Sequence, residues 1–392
     1  GFGIQWTPCG TRTCWKSCGR AARLHGRSGD TMVSSDFLVV GGGIIGINIA
    51  RELKKAFSDS RVILIEKESS CGLHASGRNS GVLHAGFYYS PDSLKASFTS
   101  LGNRMLTEYC DNKEIPINRC GKLVVAKDLH EHSALDELLR RGKTNGVELE
   151  NISEKEALSI EPRVKTCERA IFSPATSTVN PNQVMQSMTR DALHAGVEIH
   201  CGVAFLGKNS NGISTSSGSY QAGYIVNCAG LYADRIAREF GFSERYRILP
   251  FKGLYLYSSE PPGSIRTNIY PVPDLRNPFL GVHFTVTADG KAKIGPTAIP
   301  AFWRENYRGL ENFVFSEFVE ISMRELRLLV SSGFDFMRLA FDEVRKYCRT
   351  QMISLASSLA RNVSKENYKT WGKSGIRAQL LDIKKQELEM DF

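Results

Sequence analysis

The sequence predicts an α/β protein of more than one domain, built around a parallel sheet covered on both faces. Three observations carry this. The chain has 392 residues, enough for two or three domains at about 150 residues each. Asp36-Phe-Leu-Val-Val40, a glycine run, an apolar-periodic stretch 44–57 and Arg61-Val-Ile-Leu-Ile65 follow one another as strand, turn, helix and strand. Phe37–Val40 and Val62–Ile65 are apolar throughout, as parallel strands buried on both faces are.

Composition agrees. Hydrophobic residues make up 42% and charged residues 23%, ordinary values for a globular chain. They exclude a disordered protein, a collagen and a small disulfide scaffold. The longest apolar run, 37–50, contains four glycines and Asn48, and is too short to span a bilayer, which takes about 20 residues. No transmembrane segment is therefore expected. The net charge is +9, and residues 1–35 supply +4 of it through Arg12, Lys16, Arg20, Arg23 and Arg27 against Asp30. The rest of the chain is only mildly basic. With no aromatic-and-basic RNA motif and no zinc-finger spacing, nucleic acid is not an expected partner. Ten cysteines in a chain with ample core and no secretory signal read as reduced and structural. Cys9, Cys14 and Cys18 lack paired zinc spacing, so no metal is expected. Residues 1–35, rich in Arg and small residues, read as a transit peptide or disordered tail, favouring the mitochondrion over the plastid.

Further along, helical patterns fall at 92–112, 130–145, 181–195 and 231–240. Strand-like runs fall at 121–127, 197–206, 213–227, 247–258 and 280–287. From 311 to 363 the chain reads as mostly helical, with amphipathic stretches at 315–329 and 336–355.

The strongest motif is Val40-Gly41-Gly-Gly43-Ile-Ile45-Gly46. Gly41 permits the tight turn out of the strand, Gly43 a close approach to a pyrophosphate, and Gly46 close packing of helix on sheet. The diphosphate would sit at the helix N-terminus, among the backbone N–H groups up to Ile45. Glu66 ends the second strand where a carboxylate can accept from a ribose diol, and it disfavours a 2′-phosphate. Lys67 follows it.

A second strip, Cys71-Gly-Leu-His74-Ala-Ser76-Gly-Arg78-Asn79-Ser80-Gly81, is small and polar. It suits a long flat ligand, with Arg78 and Ser80 able to reach phosphate oxygens. A third, Tyr224-Ile-Val-Asn-Cys-Ala229-Gly230, runs an apolar strand into another close backbone approach.

These strips, in this order, resemble the FAD-dependent oxidoreductases of the D-amino-acid-oxidase/glycerol-3-phosphate-dehydrogenase superfamily. Within it, they are similar to the L-2-hydroxyglutarate dehydrogenases. The resemblance also rests on Gly121-Lys-Leu-Val-Val125, Pro250-Phe-Lys-Gly253, Asn268-Ile-Tyr-Pro-Val-Pro273, Pro278-Phe-Leu-Gly-Val-His-Phe-Thr285, Gly295-Pro296 and Gly375-Ile-Arg-Ala-Gln379. It implies a discontinuous Rossmann-like FAD domain of the glutathione-reductase type, over 36–120, 180–245 and 370–392. It implies an α+β substrate domain on an antiparallel sheet over 121–179 and 246–369. Val203, Gly375 and Ile376 join the expected cofactor contacts. FAD would be held without a covalent bond. The substrate would be a small 2-hydroxy dicarboxylate, L-2-hydroxyglutarate, oxidised to 2-oxoglutarate. Electrons would pass to an acceptor other than NAD, such as a membrane quinone. The resemblance further implies a strand, a Pro-containing turn and a helix beyond Phe392, closing the flavin pocket. Flavin binding by this chain without them is left open.

Oxidising a 2-hydroxy acid needs a base for the hydroxyl proton, a Cα–H aimed at flavin N5, and cations for the carboxylates. His283, in an apolar run, is either a core histidine or the base; His84, directly after the second strip, is its rival. Arg377 can clamp a carboxylate bidentately. Lys252 is the second candidate cation, and Tyr270, with Tyr88 and Tyr89, can hydrogen-bond a carboxylate. Three other readings stay open: a flavin amine or amino-acid oxidase on the same fold, a nicotinamide-dependent reductase sharing the glycine motif, and a product without activity.

Overall fold

The computed structural model describes residues 32–210, 212–273, 281–331 and 343–389. A six-stranded sheet contains the glycine-turn unit. Its order is Phe205–Asn209, Gly212–Thr215, Gly218–Asn227, β1 (Met32–Val40), β2 (Val62–Glu66) and Glu198–Cys201. The last four strands run parallel, and the first two form an antiparallel edge hairpin. α1 (Ile44–Ala56) links β1 to β2.

The apolar strands bury both faces, as their sequences require. Val39, Val62 and Leu64 pack on one side with Ile47 of α1 and Met188 of the helix Pro181–His194. Leu38, Val40, Ile63 and Ile65 pack on the other with Ile236 of the helix Ala233–Glu239. β1 begins four residues before the expected 36, because Met32–Ser35 pair with Ser219–Ala222. The last residues assigned to the tail thus belong to the sheet, and 1–31 lie outside the described residues.

An eight-stranded sheet forms the second body, with order Thr370–Trp371, Leu256–Tyr257, Ala292–Gly295, His283–Val286, Asn268–Pro271, Lys122–Val125, Arg169–Ser173 and Glu150–Ser153. It is antiparallel except where Asn268–Pro271 runs parallel to Lys122–Val125. Side chains alternate between its faces. Leu123, Val125, Leu256, Ile269, Phe284, Val286, Ala292 and Ile294 share one core with Met352, Ile353 and Ala356 of the helix Arg349–Ser357. The alternate positions Lys122, Tyr270, His283, Thr285 and Lys293 take the other face, and all are buried. A buried polar face costs stability unless its groups are satisfied or used.

A four-stranded sheet, Ile299–Pro300, Tyr246–Gly253, Gly375–Asp382 and Glu387–Leu388, lies apart from both. Gly375–Asp382 pairs residue for residue with Tyr246–Gly253. Within the segment expected to complete the FAD domain, Thr370–Trp371 pairs with Leu256–Tyr257 and Gly375–Asp382 with Tyr246–Gly253. Arg304, with 1% exposure, follows this sheet and holds Asp234 at 2.8 and 3.0 Å.

Single strands expected at 197–206 and 213–227 each break in two, at Gly202 (φ +75°) and before Gly218 (φ +110°), where the chain turns through the left-handed region. The run 247–258 also divides, into Tyr246–Gly253 and Leu256–Tyr257, and 280–287 contracts to His283–Val286. The helical stretch 311–363 resolves into Phe315–Ser331 and Arg349–Ser357, with 332–342 outside the described residues. The described cysteines are all free. No helix among the described residues is long and apolar enough to cross a membrane.

Candidate active site

The glycine turn is closed by backbone. A Cβ on Gly41 would lie 2.3 Å from the Cys228 carbonyl oxygen, and one on Gly46 would lie 1.9 Å from the Gly41 carbonyl oxygen. Gly41, with φ +116°, needs glycine on conformational grounds as well. The third strip thus touches the first at Cys228-Ala229, ahead of Gly230. Glu66 braces the turn: its Oε2 accepts from Gly42 N–H at 2.6 Å and its Oε1 from Glu68 N–H at 2.9 Å. Each oxygen keeps a lone pair for a further donor. Ile45, in the first turn of α1, is 66% exposed beside Gly43. Ser76 Oγ accepts from Ile44 N–H at 2.9 Å, which docks the second strip against the helix N-terminus.

That strip leads into a cavity of about 380 Å³. Ala75, Arg78, Asn79 and Ser80 form one wall. Tyr255, Tyr270, His283 and His84 form another, and Phe251, Gly253, Gly375, Ile376 and Arg377 a third. Among the described residues that line it, none is Asp or Glu. Gly375 is needed for its closeness to the strip: a Cβ there would lie 2.3 Å from the Arg78 carbonyl oxygen.

The polar face of the eight-stranded sheet brings Tyr270 and His283 to this cavity. The His283 ring stacks on Tyr270 at 3.7 Å, and His84 meets the same tyrosine edge-on at 6.3 Å. His283 Nδ1 lies 2.9 Å from the Gly281 carbonyl oxygen. A carbonyl only accepts, so Nδ1 carries the proton and Nε2 keeps its lone pair. Burial pushes His283 down to about 3, and the ammonium groups of Lys122 and Lys293 act in the same direction. Burial likewise takes His84 to about 3, helped by Lys122, His283 and Arg377. Both imidazoles are therefore neutral at physiological pH. Burial lowers Lys122 to about 7 and Lys293 to about 8.

The FAD dependent oxidoreductase (DAO) family model matches residues 36–327. The chain belongs to that family. Curated relatives include L-2-hydroxyglutarate dehydrogenase of Escherichia coli (strain K12), 36% identical over 356 residues, which cover 88% of this chain and 82% of that one. The mitochondrial L-2-hydroxyglutarate dehydrogenase of Homo sapiens is 35% identical over 390 residues, covering 94% and 83%. Among solved structures, the fold matches an L-α-glycerophosphate oxidase of Mycoplasma pneumoniae with FAD bound, with TM-score 0.71 and 21% identity over 90% of this chain and 85% of that one. It also matches a glycine oxidase of Geobacillus kaustophilus, with TM-score 0.67 and 20% identity over 88% and 83%.

As a member of the FAD-dependent oxidoreductases, the protein uses FAD, and its residues fit that cofactor. One continuous track runs from Glu66 past Gly43 and the exposed Ile45 to Ser76, and on to Arg78 at the cavity. It offers a carboxylate, a helix N-terminus whose Ile44 N–H is held by Ser76, and a cavity wall in that order. Several expected contacts are placed differently within it. Lys67 lies in ion pairs with Glu68 and Glu305. His74 bridges Tyr307 Oη at 2.7 Å and Glu68 Oε1 at 3.0 Å. Arg78 gives its Nε–H to the Leu73 carbonyl and lays its guanidinium 4.2 Å from the Tyr307 ring centroid. Asn79 shapes the loop, accepting from Gly81 N–H at 2.9 Å, while Ser80 Oγ accepts from Val82 N–H at 3.3 Å. Val203 is buried beyond the end of Glu198–Cys201, with its N–H given to the Glu66 carbonyl at 2.9 Å.

Lys252, expected as a carboxylate clamp, is not among the residues lining the cavity. Strand alternation turns Phe251 and Gly253 to the cavity, while Lys252 Nζ donates to Asn306 Oδ1 at 2.9 Å. Two buried lysines that the sequence reading did not single out, Lys122 and Lys293, lie on the polar face instead. Their signal was present: Lys122 opens the apolar strand Lys122-Leu-Val-Val125 and Lys293 interrupts Ala292-Lys-Ile-Gly295, each at a position that alternates away from the core.

Proposed function

We propose that the protein oxidises L-2-hydroxyglutarate to 2-oxoglutarate with His283 as the base. The observation that carries this reading is the Nδ1 contact of His283 with Gly281, which leaves Nε2 as a buried, unprotonated acceptor. Bound FAD supplies the hydride acceptor. Nε2 takes the hydroxyl proton, and Tyr270 holds the imidazole plane. Arg377 clamps the carboxylate next to the reacting carbon, a role its planar fork suits. His84, also neutral, completes the wall. A cavity bordered by Arg78 and Arg377, with Lys122 and Lys293 nearby and no acid in its lining, favours an anionic hydroxy acid. An amino-acid substrate would bring an ammonium group with no carboxylate to meet it, which disfavours the amine-oxidase reading. The names of the E. coli and human relatives support the same substrate.

The test is the visible spectrum of the purified chain before and after anaerobic L-2-hydroxyglutarate. A flavin spectrum that bleaches, without release of ammonia, is expected. A yellow protein that fails to bleach overturns the substrate, and a colourless one overturns FAD binding by this chain. Arg377→Lys should raise the substrate KM; unchanged affinity removes the clamp. We further take the acceptor to be a quinone, tested by reoxidation with a soluble quinone but not with NAD. The Arg-rich residues 1–35, and relatives named mitochondrial, support a mitochondrial address. A fluorescent protein bearing residues 1–35 that stays outside the organelle would overturn it.

A further inference from the structure

On the polar face of the eight-stranded sheet, one charge is left without a partner. Lys122 has 0% exposure, and its Nζ has no hydrogen-bond partner. It lies 4.4 Å from the ring centroids of both Phe87 and Tyr88, and 5.0 Å from that of Tyr270. Ring faces attract an ammonium but accept none of its three N–H bonds well. Two further buried donors here are also unmatched: Tyr88 Oη and Thr285 Oγ1. Buried orphans on one side of one sheet mark a place where something else completes the hydrogen bonds. Lys293, on the same face, is different, since its Nζ donates to the Ser80 carbonyl at 3.1 Å.

We propose that Lys122, with Tyr88 Oη, is the specificity site for the distal carboxylate of a dicarboxylate substrate. This rests on the 2-hydroxy-acid reading above and names what that reading leaves open: how a dicarboxylate is told from a monocarboxylate. Tyr270 joins the two ends. Its ring stacks on the base His283 and borders Lys122 Nζ. In an extended five-carbon hydroxy diacid the distal carboxyl carbon lies about 4 Å from the hydroxyl-bearing carbon, and its oxygens about 5 Å. That is the scale of one aromatic ring and its contacts. Lys122 and Tyr88 are not among the lining residues, so with the hydroxyl at His283 and the near carboxylate at Arg377 the far carboxylate meets Lys122 once the lysine stem swings past Tyr270 toward the cavity. A four-carbon monoacid ends in a methyl group there and leaves the ammonium unmatched. Desolvation alone holds Lys122 down at about 7, and an arriving carboxylate would restore its full charge.

The experiment uses the FAD-loaded chain and reads binding as well as turnover. Flavin absorbance is titrated with 2-oxoglutarate and with 2-oxobutyrate, and KM is measured for the matching hydroxy acids. In Lys122→Met, the dicarboxylate should bind about 10- to 100-fold more weakly, the loss expected for one charged hydrogen bond. The monocarboxylate should change by less than about twofold, since it never reaches this group. Tyr88→Phe, which removes one oxygen, should show the same selectivity more weakly. Equal losses on both acids, or no loss on either, overturn the proposal while leaving the hydroxy-acid reading intact. A wild-type flavin indifferent to both pairs of acids overturns the reading and the inference together. Flavin content and melting temperature serve as folding controls. Replacing an unpaired buried charge with methionine should not lower either.

Discussion

The rings of Tyr270 and His283 stack 3.7 Å apart and within 18° of parallel, on the one face of the eight-stranded sheet that is both polar and buried. The stack, with the Gly281 contact, leaves the imidazole a single orientation and a single tautomer. His283→Asn should therefore slow anaerobic flavin reduction by about 10²–10⁴-fold, the usual worth of a positioned base. FAD content should be unchanged. His84→Gln, which removes only a neutral wall residue, should cost less than tenfold by the same scale. Stopped-flow reduction of the two variants decides between the histidines, and the reverse order would transfer the role to His84.

The two histidines also make folding depend on pH. Their native values near 3 lie below the ordinary 6.5. Between those values the unfolded chain binds more protons than the native one. Stability is therefore lost as pH falls from 6.5 toward 3, at up to about 1.4 kcal/mol per pH unit for each histidine. Lys122, at about 7 against 10.5, has the same sign in a higher window: stability rises with pH from 7 to 10.5. Urea midpoints at a series of pH values should give a flatter curve between pH 4 and 6 for His84→Gln/His283→Gln. For Lys122→Met the curve should flatten only above pH 7. Parallel curves would show that these groups are solvated.

The glycine turn was legible because local chemistry dictates it: Gly41 and Gly46 leave no room for a Cβ, and the apolar strands on either side admit only a covered parallel sheet. His84, His283 and Arg377 stood out as candidates through motif context, but that all three line one cavity with Tyr270 depends on folding, since they lie 199 and 94 residues apart in the chain. The direction of Lys252 was not legible: a glycine neighbour suggests an open site, whereas alternation along Tyr246–Gly253 turns it toward Asn306. The burial of Lys122 was not legible either. A lysine at the start of an apolar strand looks like an exposed end until neighbouring strands bury it.

Gly43 and Gly46 should separate cofactor binding from folding. A Cβ at Gly46 meets the Gly41 carbonyl oxygen at 1.9 Å, and backbone cannot yield. Gly46→Ala should open the turn, lower the melting temperature and abolish yellow colour together. At Gly43 the nearest atom is Ser76 Oγ at 3.2 Å, a side chain that can rotate away. Gly43→Ala should keep the wild-type melting temperature of the cofactor-free chain and lose FAD affinity, because the pyrophosphate approaches there. Thermal melts with and without FAD distinguish the two. Equal destabilisation of both apoproteins would refute the distinction.

The ion pair of Arg304 with Asp234 joins the chain after the four-stranded sheet to the helix that follows the third strip. Both side chains are 1% exposed, and the fork is bidentate. Asp234 Oδ2 also accepts from Ile248 N–H at 3.2 Å, and Glu317 Oε2 accepts from Arg304 N–H at 3.0 Å. Removing one partner strands a buried charge. Arg304→Met should therefore cost about 3–5 kcal/mol of unfolding free energy. Arg304→Met/Asp234→Leu, which removes both charges, should recover most of that loss, because the desolvation penalty disappears with the pair. Urea denaturation of both variants measures the difference. A double variant no more stable than Arg304→Met would mean that the guanidinium contributes through its packing on Tyr232, whose ring centroid lies 5.6 Å away, and not through Asp234.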